Sequence, residues 1–451
     1  MLMSKKALAF DRHTLAYVGF GLLFLLAMAL RISLYPITTS DYTGFVSQWY
    51  DFIQTHGGFA AFKYNFANYN PPYLYLIALT TYLPIPKIDA LKSIAVIFDG
   101  VLGIFTYLII SLKYKRAYAA IIGALIVVFA PTIFINSAAW GQCDAIYTAF
   151  CLGSLYFLLT DRPLWACIFF GLAIAFKLQA IFFAPLLFVL LLKRKLPWQY
   201  LILIPLVFAL LLVPTLAAGR SIESVLSIYP GQITTGGVVQ GGTNGGSTGR
   251  FTGSGFNGSG TGTRPFNGNG TGRFNGGPGH FNGRGFGGGN FTSSSLTLNA
   301  PSFYQWLPTN AAGYWKWVGI LLAGLFVLLI GILTLKSKQK LTPATILKTT
   351  LVFALWVPFL LPEMHERYFY LADVISIIYA FYFPRYFYIA IIEQICSLLS
   401  YAPYLLHTQI ISLAYVAGAV LVISLITLVD LVLTLYPNMR EKVAIQDASK
   451  A

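Results

Sequence analysis

The chain has 451 residues, of which 57% are hydrophobic and only 10% charged, and its mean hydropathy is +0.70. Soluble domains carry about 25% charged residues, so the composition excludes a soluble globular protein and points to a polytopic membrane protein. The net charge of +15 reads as basic cytoplasmic loops rather than a nucleic-acid surface, and Cys143, Cys151, Cys167 and Cys396 give neither a disulfide framework nor a zinc spacing.

Lys5, Lys6 and Arg12 precede a first apolar run over residues 14–34. This run has no small-residue cleavage site and reads as a retained helix. The basic flank places the N-terminus in the cytoplasm and Asp41 outside. Phe45, Trp49 and Phe52 then recur at helical spacing, as in an amphipathic helix lying on the outer membrane surface. Residues 71–86 are apolar over about 13 positions between prolines, which is short for a crossing and suits a re-entrant or interfacial helix.

Further apolar segments follow near 93–112, 117–139, 145–159, 163–176, 179–192, 197–218, 315–335, 343–361, 371–383, 386–402 and 409–436. If 71–86 does not cross, Lys113, Lys115, Arg116, Arg162, Lys193, Arg194, Lys195, Lys336, Lys338, Lys340 and Arg385 all fall inside, as the positive-inside rule favours. The expected fold is an all-α bundle of about 12 transmembrane helices with both termini cytoplasmic. It divides into an N-terminal module over 1–230 with a first outer loop at 35–92, an insert at 231–292, and C-terminal helices at 293–451.

The insert holds more than half of the chain's 41 glycines, with four Arg and no Asp or Glu. Such a composition cannot bury enough surface to order itself, so a disordered outer loop is expected. Its Arg-Phe-Gly content does not, in an outer loop, argue for RNA binding. Asn257, Asn269 and Asn290 stand in N-x-Ser/Thr sequons.

Four polar clusters converge on the outer face of this topology: Asp41 with Tyr42; Asn68, Tyr69 and Asn70; Trp140-Gly141-Gln142-Cys143-Asp144; and His365-Glu366-Arg367, with Lys177 at the same depth. Ionisable groups at membrane depth are costly and mark substrate paths. Asp41 fits a general base that takes a proton from an attacking hydroxyl; the alternative is a helix N-cap. Asp144 is either a cap or, with Asp41, a ligand for an acceptor hydroxyl or a divalent metal. His365, Arg367 and Lys177 form a cationic corner suited to a phosphate leaving group, unless Arg367 pairs with Glu363 or Glu366 and Lys177 snorkels to the interface. Trp49, Tyr69 and Trp140 could stack on sugar rings or simply anchor the membrane interface. The chain has no P-loop, dinucleotide fingerprint or metal-binding His pair.

These motifs resemble the GT-C superfamily of membrane glycosyltransferases. The resemblance extends to the bacterial Gpi18-like mannosyltransferase group and to the ALG6/ALG8 glucosyltransferases. It rests on Ser-Asp-Tyr at 40–42 with Trp49, Asn-Tyr-Asn-Pro-Pro-Tyr at 68–73, Trp-Gly-Gln-Cys-Asp at 140–144, Phe-Lys-Leu-Gln at 176–179 and Met-His-Glu-Arg-Tyr-Phe at 364–369. It covers about 35–200 and 355–375, and not the insert. It implies a polyprenyl- or dolichyl-phosphate sugar donor, a glycan, lipid or protein acceptor, and inversion on the non-cytoplasmic face of the host's membrane. It also implies that Asp41 is the catalytic carboxylate and that His365 and Arg367 lie at the donor phosphate, where the reading of the cationic corner adds Lys177. Tyr42, Trp49, Tyr69, Asn70, Trp140, Gln142 and Asp144 complete the expected substrate site. No Asp-x-Asp pair surrounds Asp41, so no metal is assigned. The competing readings are a transporter or flippase of lipid-linked sugars, which would repeat its halves and carry polar groups through its helices, and a structural assembly protein.

Overall fold

The computed structural model describes residues 12–235, 295–308 and 312–438. Helices occupy every apolar segment expected from the sequence. Among the described residues, however, only five are long and apolar enough to cross a membrane alone: Lys87–Ser111, Trp198–Ala217, Gly313–Lys336, Pro343–Leu360 and Leu413–Leu435. The bent pair Ala117–Phe129 and Pro131–Trp140 makes a sixth if it is one span. The expected count of about 12 counted helices such as Asp144–Leu159, Pro163–Phe176 and Tyr370–Tyr382 as full crossings, and these are shorter. The helix after Asn70, Pro71–Thr80, has 10 residues; at 1.5 Å per residue it is about 15 Å long, roughly half the hydrocarbon thickness.

Pro343–Leu360 lies at the centre of the bundle and Trp198–Ala217 at its edge. Asp144–Leu159 packs on both Pro163–Phe176 and Lys87–Ser111, and Lys87–Ser111 packs on Ala117–Phe129. The break in the bent pair has a local cause. Pro131 has no N–H to continue the ladder and forces Ala130 into extended backbone, and the two halves meet at 45°. The chain then winds through a π-helical turn, Ile135–Trp140, and Gly141 reverses it with φ +80°. A second π-helical turn, Tyr42–Val46, leads into the outer helix Ser47–Thr55. That helix buries Trp49, Tyr50 and Ile53 against Phe62, Tyr73, Leu74 and Ile77. One interruption of the all-α pattern bears on the site: Thr297–Leu298 pairs in parallel with Met364–His365, and Asn299 bridges to His365.

The polar groups are not confined to one face, as the sequence reading had them. Arg31 pairs with Asp99 at 2.8 Å with both side chains fully buried, and Ser137 Oγ donates to the same Asp99 oxygen at 2.5 Å. Lys348 pairs with Asp430 at 2.7 Å. Glu393 and Asp373 are fully buried on neighbouring helices, with Ser397 Oγ donating to Asp373 at 2.7 Å. All four cysteines are buried and unpaired by disulfides. The helix Ile228–Thr235 includes the first five residues of the insert expected at 231–292; residues 236–292 lie outside the described residues.

Candidate active site

Asp41 sits just before the Tyr42–Val46 turn with helical backbone, φ −65° and ψ −39°, and its side chain makes no capping bond. The carboxylate turns inward instead. Trp140 Nε1 donates to its Oδ2 at 2.9 Å and Gln142 Nε2 donates to the same oxygen at 2.6 Å. Two donors on one oxygen fix the carboxylate's rotation and leave Oδ1 unused by them, the form in which a base can receive a proton. Its backbone N–H donates to the Tyr404 hydroxyl at 2.9 Å, and that hydroxyl also bonds Ser40 Oγ at 2.6 Å.

Asp144 opens the Asp144–Leu159 helix and is fully buried. It too has a different job from capping. Lys177 Nζ reaches its Oδ1 at 2.5 Å, Asn136 Nδ2 donates to Oδ2 at 3.0 Å, and Arg367 Nε lies 3.6 Å from Oδ2. Lys177 is itself buried, with its ammonium over the Tyr147 ring. Burial opposes its charge, but the Asp144 carboxylate together with Cys143 and Tyr368 raises its pKa above the ordinary 10.5. The expected role of Lys177 at the donor phosphate does not fit this geometry, because its charge is neutralised by Asp144.

Arg367 joins the two carboxylates. Its guanidinium is 3.9 Å from Asp41 Oδ2, 3.6 Å from Asp144 Oδ2 and 3.0 Å from Glu366 Oε1, and it lies 5.4 Å from the Trp140 ring centroid. The Glu366 pairing anticipated in the sequence is therefore present, while Glu363 pairs with Lys316 at 2.9 Å. Arg367 Nε is buried without a hydrogen-bond partner. His365 is partly exposed, 3.8 Å from Glu366 Oε2 and with its ring tilted against that of Tyr368 at 5.2 Å. The short parallel pairing with Thr297–Leu298 holds its backbone: Glu366 N–H donates to Leu298 O at 3.0 Å and Glu363 N–H to Leu296 O at 2.7 Å.

Several residues expected to touch substrate are used otherwise. Trp140 is fully buried, stacked on Tyr404 at 4.5 Å and faced by Arg367, so it serves Asp41 and offers no ring face to a sugar. Asn70 is buried and donates to the Ala175 carbonyl at 2.7 Å. Tyr42 and Trp49 are buried in the outer-helix cluster, where Trp49 packs on Tyr69 at 5.3 Å. Tyr69 keeps its hydroxyl at the site, taking a bond from Cys143 Sγ at 3.6 Å; burial pushes its pKa well up, so it is a neutral donor. Among the described residues no group of three or more His, Cys, Asp and Glu is gathered as a metal site. Arg367 lies within 3.9 Å of both Asp41 and Asp144, and Lys177 is bonded to Asp144, so a divalent ion at these carboxylates would have to displace them. Three residues of the site were not picked out in the sequence: Asn136, inside an apolar run; Tyr404, one of 28 tyrosines; and Lys92, whose Asp89 neighbour three residues earlier makes it read as a surface ion pair.

Residues 66–233 match the model of glycosyltransferase family 87. This family consists of glycosyltransferases, and the chain is an enzyme of that class. The match supports a membrane glycosyltransferase of the GT-C type, but not the mannosyltransferase subgroup that the motifs resemble. It spans Asn70, Trp140, Gln142, Asp144 and Lys177 and stops short of Asp41, His365 and Arg367. No curated protein matches the chain.

Proposed function

We propose that the enzyme transfers a hexose, mannose or glucose, from a polyprenyl- or dolichyl-phosphate donor to an acceptor hydroxyl on the non-cytoplasmic face, with inversion. The observation that carries this reading is the Asp41 carboxylate, locked by Trp140 and Gln142 through one oxygen and set 3.9 Å from the Arg367 guanidinium. A base and a phosphate-binding cation at one site are what inverting transfer from a lipid phosphate requires. Asp41 takes the acceptor hydroxyl proton, the acceptor oxygen bonds to the anomeric carbon, and the bond from that carbon to the phosphate oxygen breaks. The lipid phosphate leaves with the bonding pair and is held by Arg367 and His365.

A hexose does not fit between groups 3.9 Å apart. Donor binding therefore draws Arg367 off Asp41 and onto the phosphate, where its unpartnered Nε gains an acceptor. Asp144, neutralised by Lys177, is the fixed point from which Arg367 swings. Conservative replacement tests this: Arg367→Lys keeps the charge but loses the fork, and should raise the donor KM at least tenfold. An unchanged donor KM in Arg367→Lys and Arg367→Gln would remove the phosphate from this corner.

A further inference from the structure

Lys92 lies in the Lys87–Ser111 helix with its side chain fully buried. Among the described residues no carboxylate is within ion-pair distance of it. Its ammonium instead donates to three backbone carbonyls: Ile37 at 2.6 Å, Ala139 at 2.9 Å and Leu34 at 3.4 Å. Leu34 ends the first helix and Ala139 is next to last in the Ile135–Trp140 turn, the negative ends to which a cation is drawn. Burying an ammonium is costly, and an apolar side chain of the same length would fill the space without that cost. What the charge uniquely provides is a bond between two backbone segments.

Those segments are the ones that make the base. Ile37 is four residues before Asp41, and Ala139 is the neighbour of Trp140, whose indole holds Asp41. Thr39 Oγ1 donates to the Trp140 carbonyl at 3.1 Å and closes the ring of contacts on its other side. The aliphatic stem of Lys92 passes beneath Gly141, where an added Cβ would meet it at 3.7 Å. We propose that Lys92 is a positioning residue that sets the Trp140–Asp41 hydrogen bond by tying the backbone of the base to the backbone of its donor. The inference rests on Asp41 being the base.

A kinetic double-mutant cycle tests it, with Lys92→Met, Trp140→Phe and the double variant assayed for sugar transfer from radiolabelled polyprenyl-phosphate mannose and glucose in isolated membranes. Each single variant should lower kcat about 10- to 100-fold, since a small misplacement of a catalytic group costs that much, and leave the donor KM within about threefold. Because both act through one hydrogen bond, the double variant should fall no more than about threefold below the worse single one. Additive losses, or a wild-type kcat in Lys92→Met, would overturn the proposal. If Lys92→Met is not recovered folded, Lys92→Gln, which is uncharged and one bond too short to span the Ile37 and Ala139 carbonyls, enters the same cycle with the same expectation. Asp41→Asn separates the two ideas: full turnover there sinks the base itself, whereas an inactive Asp41→Asn beside a fully active Lys92→Met sinks the positioning role alone.

Discussion

Removing the ammonium of Lys177 should unbalance the centre of the site. The Lys177–Asp144 pair is 2.5 Å apart, with side chains 5% and 0% exposed. Breaking a buried pair by deleting one partner typically costs about 3–5 kcal/mol, because it strands the other charge. In Lys177→Met the stranded carboxylate keeps Asn136 at 3.0 Å and Arg367 at 3.6 Å, so the loss should be near the lower end, about 3 kcal/mol. In Asp144→Leu the stranded ammonium keeps only the face of Tyr147 at 5.9 Å, and the loss should approach about 5 kcal/mol. The double variant removes both charges and should recover most of that, to within about 1–2 kcal/mol of wild type. Unfolding by SDS in mixed micelles gives the free energies. The sign of the pH dependence follows from the raised pKa of Lys177: the stabilisation is present below the ordinary 10.5 and is lost as pH rises through the folded-state value. A Lys177→Met variant within about 0.5 kcal/mol of wild type, the range of exposed pairs, would refute the reasoning, as would a double variant less stable than both singles.

Two further substitutions separate architecture from substrate contact. Asn70→Ala leaves the Ala175 carbonyl with only the longer 3.4 Å bond from the Tyr229 hydroxyl and should cost about 1 kcal/mol with donor and acceptor KM unchanged; a tenfold rise in either KM at wild-type stability would return Asn70 to the substrate. Gly141→Ala places a Cβ at φ +80° with only an ordinary contact to Lys92, so the cost is backbone strain of about 1–2 kcal/mol. Because Gly141 separates the two donors to Asp41, kcat should fall as well, and a fully active, fully stable Gly141→Ala would show that the turn does not hold them.

The residues readable in the sequence were those that stand out against hydrocarbon. Asp41, Asp144, His365 and Arg367 are polar groups beside apolar runs; in the structure Arg367 lies within 3.9 Å of both Asp41 and Asp144, while His365 faces Glu366 and Tyr368. The cluster's internal wiring was less legible. Lys177 and Arg367 look alike as outer-face cations, yet a 2.5 Å contact commits Lys177 to Asp144 while Arg367 spans both carboxylates. Trp140 reads as a sugar platform because interfacial tryptophans commonly face water, but it is buried against Tyr404 and its indole donates to Asp41. Lys92 and Arg31 sit near helix ends, where basic residues ordinarily anchor a membrane protein at the interface; long-range packing turns both inward. The number of crossings was not legible for a related reason: hydropathy marks helices, but helices such as Tyr370–Tyr382, with 13 residues, are too short to decide by composition whether they cross.

The most direct measurement is sugar transfer by wild type and Asp41→Asn in isolated membranes supplied with radiolabelled polyprenyl-phosphate mannose or glucose. The asparagine keeps the size of the side chain and its oxygen for Trp140 and Gln142 but cannot accept the proton. Transfer by wild type, with a loss of roughly 100-fold or more in the variant, is the expected result for a general base. Equal transfer by both would contradict it and move the base to Asp144. No transfer by a folded wild type with either donor would contradict the lipid-linked donor, and movement of the intact donor across the membrane would replace transfer with transport.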